Sequence, residues 1–148
     1  MQNAITIVAL QLNATMGALT ANAENIRTQA WLAYEQHQAD LIITPELALT
    51  GYPAEDLLLR QDFMAAVAET LTTLCLALPP TDIILGVPLI NAEDKTIRNT
   101  LVYVRDHKIY AHYDKQILPN DGVFDDKRYF VCGIFQFTSQ RSEKDFMV

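Results

Sequence analysis

The sequence predicts an α/β domain on a mixed sheet, with the element order β-α-β-α-β-β-β. Two observations carry this. Short β-branched apolar runs, such as "AITIVALQL" and "DIILGVPLI", alternate with longer stretches whose apolar residues recur every three or four positions. The 148 residues, half of them hydrophobic and a fifth charged, suit one compact core rather than a disordered chain.

Taken in order, residues 4–12 read as a buried strand, followed by a loop containing Gly17. A helix is expected over roughly 21–38, where Ile26, Ala30, Ala33, Tyr34 and His37 share one face. "DLIIT" (40–44) is a second short buried strand, and "PELALTGYPAEDLLL" is a long connection rich in turn residues. Phe63, Val67, Leu71, Leu74 and Leu78 form a second helical stripe, stopped by Pro79-Pro80. A third strand spans 82–90, and after the polar turn "NAEDK" a hairpin follows. Its arms, Thr100 to Val104 and Lys108 to Tyr113, join through Asp106-His107. Strands alternating with helices make the sheet parallel at first, with antiparallel strands added after. Nothing marks a domain boundary within residues 1–133.

The net charge of −7 argues against nucleic acid or an anionic membrane as a main partner, because both need a basic face. Two cysteines cannot make a disulfide framework, and the N-terminal run lacks the basic start of a signal peptide. A cytoplasmic protein is therefore expected. Neither GxGxxG nor GxxxxGK occurs, and His37, His107 and His112 do not cluster as metal ligands, so no metal is expected. His112 and Asp114 could share a strand face, but one such pair is not a metal site.

In sheets of this kind, reactive groups collect beyond the carboxyl ends of the strands. Glu46 lies just past the second strand, behind Pro45, whose fixed φ can set the direction of the departing chain. Held in a partly dry pocket, its carboxylate could act as a general base; the plainer reading is a solvated loop acid. Lys115 lies just past the fifth strand, where an ammonium could stabilise developing negative charge, or simply sit on the surface. Cys75, on the second helical stripe, reads as a buried structural thiol. Cys132, in "RYFVCGIF", reads as structural too, with a nucleophilic role the lesser alternative.

Three stretches carry a resemblance: "ITIVALQLNATMGALTANAENI" (5–26), "ITPELALTGYPAEDLLLR" (43–60) and "YDKQILPNDGVFDDKRYF" (113–130). Together they resemble the nitrilase, or carbon–nitrogen hydrolase, superfamily, and within it the glutaminase branch of glutamine-dependent NAD synthetases. The resemblance covers residues 4–133 in family order. It implies an α-β-β-α sandwich, often stacked sheet on sheet as a homo-oligomer, and a Glu–Lys–Cys triad that splits an amide through a thioester. Glu46 would be the general base and Lys115 the transition-state stabiliser. Tyr52 would lie near the glutamine site, with Asp121 and Asp126 also on the substrate side. The resemblance implies no cofactor in this domain. It implies ATP and magnesium for a synthetase domain, which amidates nicotinic acid adenine dinucleotide with the released ammonia.

There are departures from the family pattern. The family's cysteine follows its lysine by some thirty to fifty residues in a phrase like "ICEDxW", and no such phrase occurs here; Cys132 follows Lys115 by only 17 positions. After Gly133 the pattern dissolves into a divergent tail, 134–148, as in a domain cut short. Asp121 stands where an aromatic is usual, and Asp126 where a longer glutamate is usual. The expectation is an incomplete glutaminase domain without its nucleophile, inactive alone. The alternatives are another nitrilase-like amidase acting through Cys132, or a non-catalytic assembly protein.

Overall fold

The computed structural model describes residues 4–133 and 138–139. Its elements are β1 (Ile7–Ala9), α1 (Leu19–His37), β2 (Leu41–Ile43), a 3-10 turn (Glu55–Leu59), α2 (Gln61–Ala77), β3 (Asp82–Ile90), β4 (Ile97–Arg105), β5 (Lys108–Asp114), α3 (Asp126–Tyr129) and β6 (Thr138–Ser139). The strands form one sheet in the order β1-β2-β3-β4-β5-β6. β1, β2 and β3 are parallel, and each later neighbour is antiparallel. This is the predicted mixed α/β sheet, with the short β6 added at its edge. Most of the tail expected to diverge, 134–148, lies outside the described residues.

Both helices pack on one face of the sheet. Ile26, Ala30 and Ala33 of α1 and Val67, Leu71, Leu74 and Cys75 of α2 meet Ile42, Ile83, Leu85, Val87, Val102 and Val104 in one buried cluster. The indole N–H of Trp31 on α1 donates to the carbonyl of Ala77 at the end of α2, 2.9 Å away, and ties the helices together. The first helical stripe is shorter than expected: His37 is exposed and Tyr34 only half-buried, with Asn22 buried in their place at the start of the helix. Asn22 earns that burial by donating to the carbonyls of Thr15 and Leu49.

Among the described residues, the opposite face of the sheet is only partly covered. Register places Ile7, Leu41, Ile43, Ile84, Leu101, Tyr103 and Tyr113 there, alternating with the helix-facing core. Ile7 is 57 % exposed, Leu101 39 % and Tyr113 44 %. The expectation of a buried first strand over 4–12 is corrected by this: β1 is a three-residue edge strand with an exposed outer face.

The hairpin turns at Asp106-His107, both with positive φ (51° and 63°), the geometry that matches the twist of adjoining strands. A bulge follows: Tyr103 pairs with Ala111 and Val104 with Ile109, so Tyr110 is left over. From there on the register moves by one, Thr100 pairs with Asp114, and the Lys115 N–H donates to the Asn99 carbonyl at 2.8 Å.

Candidate active site

Two antiparallel steps return β5 to the direction of β2, so both strands end on the same rim of the sheet. Glu46 leaves the end of β2 and Lys115 the end of β5, and there they meet. The Lys115 ammonium donates to Glu46 Oε1 at 2.8 Å and to Asp126 Oδ2 at 2.9 Å. The Tyr52 hydroxyl donates to the other oxygen of Asp126, Oδ1, at 3.3 Å. Four residues singled out in the sequence, Glu46, Tyr52, Lys115 and Asp126, therefore form one cluster. Although Asp126 is shorter than glutamate, it reaches the ammonium fully.

Packing explains the convergence. Leu47, directly after Glu46, and Phe130, four residues after Asp126, belong to one small apolar cluster with Ala54, Leu58, Met64 and Leu118. Burying these side chains draws the 46–58 connection against the 118–130 segment. Leu47 is fully buried yet has φ 49°, a left-handed conformation that costs a side-chain-bearing residue about 1–2 kcal/mol. The loop lies on β3 at Gly86, where an added Cβ would stand 2.4 Å from the Pro45 carbonyl oxygen and 2.7 Å from the Leu47 nitrogen.

Asp126 is buried, whereas Glu46 and Lys115 are partly open to solvent. Burial alone would make the Lys115 ammonium easier to deprotonate, but hydrogen bonds to Glu46 and Asp126 and their charges outweigh this and hold it above its ordinary range. Burial, then the Asp126 carboxylate, raises the Tyr52 hydroxyl as well. A cleft of about 270 Å³ opens beside Tyr52 and Asp126, lined also by Asp56, Asp125 and Arg128. A larger groove, about 540 Å³, between α2 and the β3–β4 turn is apolar and carries none of the cluster.

Asn99 belongs to the cluster and was not singled out in the sequence. Its side-chain amide donates to Glu46 Oε1, the same oxygen that accepts from Lys115. The hairpin register could have found it, but only with the bulge at Tyr110; an unbroken hairpin would set Asn99 opposite Asp114. Asp121 is exposed on the 119–125 loop, with no hydrogen bond joining its side chain to the cluster. Cys75 is buried, and burial pushes its thiol up to about 12. Cys132 is exposed, and its carbonyl accepts from the Arg98 guanidinium. Among the described residues, neither cysteine is hydrogen-bonded to the cluster, and no group of three or more His, Cys, Asp or Glu is placed to hold a metal.

Residues 6–141 match the carbon-nitrogen hydrolase family. The chain belongs to the carbon–nitrogen hydrolases. A glutamine-dependent NAD(+) synthetase from Synechocystis is 42 % identical over 131 residues, 84 % of this chain and 23 % of that protein. One from Xanthomonas campestris is 35 % identical over 135 residues, 88 % of this chain and 24 % of its own. The solved glutamine-dependent NAD+ synthetase of Acinetobacter baumannii superposes with a TM-score of 0.75 at 34 % identity, over 86 % of this chain and 24 % of that one. An amidase from Nesterenkonia shares the fold, with a TM-score of 0.71 at 23 % identity over 88 % of this chain and 48 % of its own. This carbon–nitrogen hydrolase thus spans about a quarter of the length of the synthetases it matches. Among its described residues, no helix is long and apolar enough to cross a membrane.

Proposed function

We propose that this chain is the front part of the glutamine-hydrolysing domain of a glutamine-dependent NAD synthetase. The observation that carries the reading is the closure of the Lys115 ammonium on Glu46 and Asp126, from positions 69 and 11 residues away, at one rim of the sheet. The 42 % identity to a glutamine-dependent NAD(+) synthetase supports glutamine as the amide. In this reading a cysteine thiol attacks the amide carbonyl, Glu46 takes the thiol proton and passes it to the leaving ammonia, and Lys115 stabilises the oxyanion. Water then attacks the thioester, Glu46 accepts its proton, and the sulfur recovers it. Asp126 and Tyr52 hold Lys115 in place and border the substrate. The ATP-dependent synthetase part is the partner that takes the ammonia, and no step here passes through ATP or magnesium.

In this reading neither cysteine of the chain is the attacking group. Cys75 is buried with its thiol held protonated, and Cys132 has no hydrogen bond to the cluster. The chain alone is therefore expected to release no ammonia from glutamine. The test is a graft: residues 1–133 replace the matching segment of the Synechocystis synthetase, and ammonia release is measured. The graft should be active, and Glu46→Gln should lower its rate by about 10²–10⁴-fold. A folded graft indifferent to Glu46→Gln would overturn the reading. Ammonia release by the 148-residue chain, abolished by Cys132→Ser, would favour instead a complete amidase acting through Cys132.

A further inference from the structure

We propose that Asn99 is the positioning residue of this cluster: it fixes the Glu46 carboxylate against Lys115 by one oxygen and leaves the other free to move protons. The inference rests on the amide-hydrolysing reading above. Asn99 is 5 % exposed and holds both partners at once. Its side-chain amide donates to Glu46 Oε1, and its carbonyl accepts the Lys115 N–H at 2.8 Å. Among the described residues no donor reaches Glu46 Oε2. The two oxygens are thereby made unlike, one clamped by two donors and one open.

A neutral donor suits this role. A second cation would oppose protonation of Glu46, and a carboxylate at position 99 would repel it. An amide N–H can donate to Oε1 whether or not Oε2 carries a proton, so the carboxyl keeps its orientation through the cycle. The side chain is short, and it spans the gap because the loop sits so close to β3. Gly86 makes that approach possible, since a Cβ there would stand 3.0 Å from the Glu46 Cα and closer still to its neighbours.

The test reads the side chains of the whole chain without turnover. The chain is treated with a small amine-acylating reagent, and Lys115 modification is followed by peptide mass spectrometry against the exposed Lys95 and Lys108. If Asn99 holds Glu46 on Lys115, Asn99→Ser should free the ammonium and speed its acylation about threefold or more. Glu46→Ala should do the same, and the double variant should label no faster than Glu46→Ala alone, which a merely structural asparagine would not produce. Asn99→Leu provides a second removal of the donor, with circular dichroism confirming that each variant is folded. Wild-type labelling in a folded Asn99 variant, or additive effects in the double variant, would overturn the proposal. An inactive graft would instead overturn the proposed function and leave the labelling result standing.

Discussion

Asp126 is the most committed charge of the cluster, because it is buried and its two oxygens are taken by Lys115 and Tyr52. Lys115→Met would leave that carboxylate without its cation and should destabilise the chain by about 2–4 kcal/mol, read from urea unfolding. Glu46→Gln should cost much less, since the Glu46 side chain is 46 % exposed and an amide oxygen still accepts from Asn99 and Lys115. The two acids thus differ in how much of the fold's stability rests on them. The meeting of Glu46 and Lys115 at one rim was legible in the sequence because each follows directly on a strand end, whereas Tyr52 and Asp126 were singled out only through the family resemblance. Asn99 was not, because its place depends on one unpaired residue, Tyr110, which no propensity marks. Asp121, expected on the substrate side, is exposed on its loop and makes no side-chain hydrogen bond to the cluster.

Among the elements, β3 and α2 decide how firmly the site is held. Gly86→Ala would drive a methyl group into the backbone of residues 45–47 and should cost about 1–3 kcal/mol, seen as a lower melting temperature. On α2, the Cys75 thiol gives a pH-dependent signature. Its folded value of about 12 lies above its ordinary 9.0, so its contribution is complete below pH 9 and is lost as pH rises toward 12. Lys115 acts with the same sign, its contribution complete below 10.5 and lost as pH climbs through its raised folded value. Stability should therefore fall on the alkaline side, and Cys75→Ala should flatten the fall between pH 9 and 12, measured by denaturant titration. The strand and helix positions were readable because periodicity of two and of 3.6 reports which residues can share a buried face. The stripe failed at His37, which is exposed in the last turn of α1.

At the scale of the whole fold, the partly uncovered sheet face is, among the described residues, the dominant physical fact. Ile7, Leu101, Tyr103 and Tyr113 offer an apolar surface on the side away from the helices, the kind of surface that drives association. The chain should sediment as more than a monomer at micromolar concentration, and Leu101→Lys with Tyr113→Lys should shift it toward the monomer. The layered order was legible because strands and helices alternate. The exposure of one face was legible only through the resemblance, which implies a sandwich cut short, because apolar strand residues look alike whether or not a second layer covers them. The helix layer has an observer of its own. Trp31 is the only tryptophan of the chain, and it lies where α1 meets the end of α2, hydrogen-bonded there to the Ala77 carbonyl. Intrinsic fluorescence will consequently report whether the two helices stay docked and will be nearly blind to the rim, so an emission spectrum left unchanged by a substitution at Glu46 or Asn99 attests to an intact scaffold.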